Sequence, residues 1–196
     1  MNDTKYAAEG LILLIRGQEI KIKELEDRVV QNRKLHDHLY QDFIKKDFDP
    51  DGHFDEIKMM HSFQRQASFH EIHIEPLMKQ LAALESSIKT KQESISSLSG
   101  SLLQIAKQGI SKTHGNPKNW PEGRNIRNET LSNIIRQGRN QALHFEEHKD
   151  LKDEIITCFL KIEIPLEKYK NSAKEVIDLL GWNLYEDYEK DMKSLK

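Results

Sequence analysis

The most pointed chemistry in the chain lies in Arg136-Gln137-Gly138-Arg139-Asn140-Gln141-Ala142-Leu143-His144. The pattern around these residues predicts a helix, on which Asn140 and His144, four apart, share a face. Arg139 precedes His144 by five positions, about 140° around a regular helix. The two reach one cleft if the arginine curves round, if Gly138 loosens the turn, or if a two-fold axis brings in a second copy of the helix. Imidazole titrates near neutrality and suits proton transfer. The guanidinium fork suits phosphate oxygens, and Asn140 can orient the imidazole or bind phosphate itself. These groups are what metal-free RNA cleavage needs. The ribose 2′-hydroxyl attacks, giving a 2′,3′-cyclic phosphate and a 5′-hydroxyl, and DNA resists for lack of that hydroxyl. The plain alternative is a helix in which Arg139 pairs with Glu146 or Glu147 and His144 caps or packs.

Charge around the motif points the same way. Between Gln104 and His144 stand Lys107, Lys112, Lys118, Arg124, Arg127, Arg136 and Arg139 against Glu122 and Glu129, a balance of +5 in a chain of net charge −2. A basic stretch in an acidic chain suggests a restricted anion site, or a solvated surface. Arg136, Arg124, Lys118, Trp120 and His114 are the candidate substrate-binding residues. Trp120 offers either a stacking surface for a base or a plug for the bundle, and the plug is the commoner use.

Three metal-like patterns are weaker. His144-Phe145-Glu146-Glu147-His148 matches the inverted zinc-protease motif H-x-x-E-H. It needs a third ligand, from Glu154, Glu163 or Glu167, in a chain short for a protease. His70 and His73 lie near Glu71 and Glu75, but the expectation is His70 on a helix seam and His73 in solvent. Asp47, Asp49 and Asp51 alternate as in a calcium loop, but Pro50 and the missing closing Glu indicate a turn between helices. The expected site holds no metal and no cofactor.

Long helices must position these groups. From Tyr6 to Lys46, the residues Ala8, Leu11, Ile15, Gln18, Ile22, Leu25, Val29, Asn32, His36, Leu39 and Phe43 keep a 3-4 spacing. After the turn at Asp47–Gly52 the spacing resumes at Met60, Phe63, Ala67, His70, Ile74, Leu77, Leu81, Leu84, Ile88, Lys91, Ile95, Leu98, Leu102 and Ile105, with a kink or new start expected at Pro76. The two helices should form an antiparallel hairpin. A loop follows around His114–Gly123. Helix resumes near Glu129 with Asn128 as candidate N-cap and ends near His148. Asp150 and Asp153 begin another, Ser172 and Glu175 form a capping box, and Gly181 stops the last. The expected division is a helical hairpin or coiled-coil extension over 1–76, a bundle over 77–181 and a polar tail over 182–196 anchored by Trp182, Tyr185 and Tyr188.

Composition agrees with an all-α chain: 37% hydrophobic and 32% charged residues, five prolines, and no strand-length alternation. The single Cys158 has apolar neighbours and reads as a buried hydrophobe in a reducing, cytoplasmic setting. No signal peptide or membrane-spanning run is evident.

The R-N-x-x-x-H form at Arg139–His144, on a helix after a long loop and inside a small helical bundle, resembles the HEPN superfamily over roughly residues 77 to 181. The first 76 residues depart from a minimal HEPN bundle. The resemblance implies a metal-independent endoribonuclease of toxin-antitoxin or antiphage systems, with Arg139 and His144 carrying the chemistry and Asn140 assisting. It implies RNA as substrate and a homodimer, and the lack of a membrane-spanning run leaves no membrane partner expected. An antitoxin or other protein partner would use the N-terminal helices. A different class of reading is a non-catalytic helical interaction or oligomerisation module, resting on the heptad seams alone.

Overall fold

A computed structural model describes residues 2–46 and 56–196. In chain order these form α1 (Asn2–Lys46), α2 (Glu56–Phe69), a π-helical turn (His70–Ile74), α3 (Glu75–His114), a 3-10 turn (Pro117–Asn119), β1 (Asn125–Ile126), β2 (Glu129–Thr130), α4 (Leu131–His144), a 3-10 stretch (Phe145–Asp150), α5 (Asp153–Lys161), α6 (Ala173–Leu180) and α7 (Tyr185–Ser194). The fold is all-α with long N-terminal helices, as the spacing predicts. Among the described residues the only β structure is the two-rung antiparallel ladder of β1 and β2. The expected turn at Asp47–Gly52 lies outside the described residues.

The chain divides into two compact units, Met1–Glu19 with Gln92–Lys196, and Ile20–Lys91. The division differs from the expected boundaries at 76 and 181. Residue 76 is not a boundary because the unit Ile20–Lys91 runs through it, although α3 does start there, at Glu75, and the first turns of α1 belong with the C-terminal bundle. Residues 182–196 are no tail, since α7 packs into that bundle.

In the unit Ile20–Lys91, Ile22, Leu25, Val29, Asn32, His36, Leu39 and Phe43 are the shielded side of α1, in the expected register. Ile74, Leu77, Leu81, Leu84, Ile88 and Lys91 are shielded likewise. The Phe43 and Phe69 rings stack at 5.9 Å, and Arg33 Nη2 reaches Glu85 Oε1 at 2.6 Å, so the two helical arms run antiparallel. Before Ile74 the expected register fails. Met60, Phe63, Ala67 and His70 are exposed, and Ser62, Gln66 and Phe69 are shielded instead. The cause is the π turn, which inserts one residue between Phe69 and Ile74. Pro76 follows it directly: with no N–H and a ring that crowds the preceding carbonyls, it disfavours an unbroken α-helix there. His70 therefore leaves the seam, and His73 packs its exposed ring on Phe69 at 4.8 Å.

The larger unit buries Ala8, Ile12 and Ile15 of α1 with Leu102, Leu103, Ala106 and Ile110 of α3, Leu131, Ile134 and Ile135 of α4, and Ile155 and Phe159 of α5. Gly138 is close packing, not a loosened turn: a Cβ there would meet Val176 of α6 at 3.0 Å and Leu103 of α3 at 3.3 Å. Gly100 likewise brings α3 against Ala142, which a Cβ at Gly100 would meet at 3.2 Å, so the Ser-rich stretch forms a close approach and not a break. The caps differ in part from expectation. Thr130, with extended backbone, precedes α4 in place of Asn128, which sits in the β1–β2 turn. Lys152 precedes α5. Ser172 precedes α6 but the capping box does not form: its hydroxyl makes no cap bond, and Glu175 pairs with Lys170 at 3.0 Å. Gly181, at φ +71°, ends α6 as expected.

Cys158 is 1% exposed, and burial pushes its thiol up to about 12. Only the thiolate reacts with disulfide reagents. Native protein should therefore leave Cys158 unmodified by Ellman's reagent over the time in which urea-unfolded protein reacts fully; equal rates would contradict the burial.

Candidate functional site

α4 presents Leu131, Ile134, Ile135 and Gly138 to the core and carries a row of polar groups along a neighbouring edge. Those groups are linked in one direction. Arg139 Nη1 donates to Asn140 Oδ1 at 3.2 Å, Asn140 Nδ2 to Gln137 Oε1 at 3.3 Å, and Gln137 Nε2 to Asn133 Oδ1 at 3.2 Å. Asn133 in turn bonds the Glu129 carboxylate, which Lys161 Nζ also reaches at 3.2 Å. At the other end Arg139 Nε donates to Gln104 Oε1 on α3. Gln137 is only 2% exposed, so its satisfied amide matters, because a stranded buried amide costs about 1–3 kcal/mol. Donors aligned in one sense polarise one another.

Glu129 anchors the chain. Burial by itself would raise its carboxyl, but the Thr130 amide, Lys161 and Asn133 outweigh that and hold it below the usual carboxylate range. A carboxyl depressed in the folded state contributes stability fully above its unfolded value, about 4.3, and loses it as pH falls through the lower folded value. The urea midpoint of the native chain should therefore fall more steeply below about pH 4.3 than that of Glu129→Gln. Parallel slopes would show that the carboxylate is not held.

His144 ends α4. Its side chain is 49% exposed, and Nδ1 lies 3.0 Å from Glu147 Oε2. Arg139 and Asn140 are thus brought together. Among the described residues no hydrogen bond joins His144 to either of them, and Asn140 lies one helical turn before it on the same face. The expected alternative pairing of Arg139 with Glu146 or Glu147 does not form: Arg139 turns to Gln104 and Glu147 to His144. Glu147 has non-helical φ/ψ, so residues 144 to 148 do not form the regular α-helical turn that the H-x-x-E-H motif requires. The side chain of His148 lies outside the described residues.

The candidate substrate-binding residues disperse. Arg124 donates Nε and Nη2 to Asp191 at 2.7 and 2.8 Å and Nη2 also to the Leu180 carbonyl at 2.7 Å, which ties α6 and α7 together. Trp120 is the plug, 9% exposed, with Nε1 donating to the Gly115 carbonyl at 3.2 Å. His114 Nε2 meets the Leu195 carbonyl at 2.8 Å, at the C-terminal end of α7. Each of these three is bonded within the fold. Arg136 Nη2 lies 3.5 Å from Glu154, and Lys118 is exposed. The local +5 is offset in three dimensions, since Arg124, Arg127 and Arg136 face Asp191, Glu163 and Glu154 from outside the segment.

Two participants were not assigned these roles from sequence. Glu147 as partner of His144 is readable as an i, i+3 pair. Gln104, 35 residues from Arg139, gives no local signal. Comparison of the chain with protein-family models, curated proteins and solved structures returned no match. Among the described residues no helix is long and apolar enough to cross a membrane.

Proposed function

We propose that the chain is a metal-independent endoribonuclease of HEPN type, a cytoplasmic toxin or antiphage-defence effector, with RNA as substrate and a second copy of itself as partner. An antitoxin or similar protein would engage the N-terminal helices. The observation that carries this reading is His144, half-exposed at the end of α4 with Nδ1 against the Glu147 carboxylate. With the Nδ1 proton donated to Glu147, Nε2 is the nitrogen left to exchange protons with substrate. In the proposed reaction Nε2 takes the 2′-hydroxyl proton as that oxygen attacks phosphorus, and the bond to the 5′-oxygen breaks as that oxygen takes a proton from solvent water. Arg139 supplies the cation for the phosphate through Nη2, its Nε and Nη1 being used within the fold.

That same use of Nε and Nη1 favours the second reading, a helical interaction module in which Arg139 and Asn140 only join α4 to α3. RNA incubated with pure protein in EDTA separates the two. Cleavage to cyclic-phosphate ends that is absent in His144→Ala supports the nuclease. Cleavage unchanged in His144→Ala removes it, and inactivity of the folded wild type leaves the module.

A further inference from the structure

From Tyr6 to Gly17, α1 is apolar on both sides. Ala8, Ile12 and Ile15 are buried in the larger unit. The opposite side of a surface helix should be charged. Here it holds Tyr6 and Leu13, each 66% exposed, with Gly10 and Gly17 between and beyond them. Neither glycine answers a need of the fold: a Cβ at either would meet nothing within 4 Å, and neither has positive φ. Each lowers helix stability with no compensation inside the chain. Beyond Gly17 the same side carries Ile20, also exposed, and then turns polar at Glu24, Asp27 and Arg28.

We propose that this side of α1 packs on the same side of a second copy of the chain, antiparallel, about a two-fold axis at the level between Leu11 and Ile12. Tyr6 and Gly17 are equidistant from that level, and so are Gly10 and Leu13. One axis therefore seats both large side chains of each helix on glycines of the other, Tyr6 on Gly17 and Leu13 on Gly10, and lets the backbones approach closely. Glu9 and Arg16 lie on one flank, seven residues apart. The axis sets Glu9 level with Leu14, two residues, or about 3 Å of helix rise, from Arg16 of the other copy, so each long side chain reaches the opposite charge, twice. Arg16 is already steadied at the surface of α1 by Glu19 at 2.6 Å, the Asn183 carbonyl at 3.1 Å and the Asn183 side-chain oxygen, which leaves one N–H on each of Nη1 and Nη2 for the other copy. A parallel pair would instead set Tyr6 on Tyr6 and Glu9 on Glu9. The inference gives the second copy named above a surface, and it does not depend on the nuclease chemistry.

Sedimentation equilibrium of the full chain tests it. The wild type is expected to be a reversible dimer, and Leu13→Glu and Gly17→Gln should each weaken association on the order of tenfold or more. Gly17→Gln is the sharper variant, because it should raise the thermal midpoint of the fold while weakening the dimer. Under oxidation the double variant Tyr6→Cys/Gly17→Cys should form interchain disulfides and Tyr6→Cys alone should not. A monomeric wild type, a dimer untouched by both substitutions, or self-crosslinking of Tyr6→Cys alone overturns the proposal. A monomeric wild type also removes the second copy from the proposed function, but RNA cleavage in EDTA that is lost in His144→Ala stands or falls on its own, so the failure of this surface and of the nuclease are told apart.

Discussion

Replacing His144 with alanine is expected to lower EDTA-resistant cleavage of RNA by about 10²–10⁴-fold, the usual contribution of a positioned proton-transfer group. The same substitution should leave thermal unfolding unchanged. His144 is half-exposed and its one polar partner is Glu147, an i, i+3 surface pair of a kind that contributes roughly 0–1 kcal/mol. That separation makes His144 a cleaner probe than Arg139, whose loss would also release Gln104 and Asn140. Arg139→Lys keeps the charge but not the fork. If the polar chain along α4 is all that Arg139 serves, Arg139→Lys lowers the unfolding midpoint and leaves cleavage per folded molecule unchanged. If Arg139 binds phosphate, cleavage falls further than stability does. A His144→Ala protein with wild-type cleavage would remove imidazole from the mechanism, whatever the arginine did.

The helices were legible because their signals are local. The 3-4 spacing from Ile22 to Phe43 and from Ile74 to Lys91 marks the shielded side residue by residue. It failed between Met60 and His70 because one inserted residue at the π turn rotates everything before it. Pro76 warned of a disturbance, but sequence does not distinguish a kink from an insertion. The β1–β2 ladder escaped notice because two residues per strand leave no periodicity to read. Gly181 was legible because a left-handed stop favours a residue without Cβ. Ser172 misled because both halves of the box are taken elsewhere: the Ser172 amide donates to Gln141 Oε1 at 3.0 Å and Glu175 goes to Lys170, while the buried Ser172 hydroxyl bonds nothing among the described residues.

The candidate site was legible only along α4. Arg139, Asn140 and His144 could be placed on one helix, and adjacency alone brings Arg139 to Asn140. What each side chain bonds depends on residues far away in sequence. Gln104 reaches Arg139 across 35 positions, and Asp191 reaches Arg124 across 67. A charge sum over a sequence window cannot see such partners. This is why the basic segment looked more available to an anion than its arginines are.

Asp191→Ala is expected to cause the largest loss of stability. The carboxylate is 5% exposed and accepts from three groups: Arg124 Nε at 2.7 Å, Arg124 Nη2 at 2.8 Å and Trp182 Nε1 at 2.9 Å. Alanine leaves the indole N–H of Trp182, a residue 2% exposed, with no acceptor, a cost of about 1–3 kcal/mol. The charge-assisted bonds from Arg124 add to this, discounted because that side chain is 47% exposed and water can take over part of its solvation. The sum is on the order of 3 kcal/mol, about 10 °C in unfolding midpoint for a unit of this size. Asp191→Asn keeps an acceptor for Trp182 and loses the charge, so it should cost roughly half as much. Trp182 also packs edge-on against Tyr188 at 4.9 Å, so its fluorescence should redden in Asp191→Ala as α7 loosens. A midpoint within a degree or two of wild type, with unshifted emission, would mean that α7 is held by Tyr188 and Leu195 packing alone, and that residues 182–196 are closer to an appended tail than to part of the bundle.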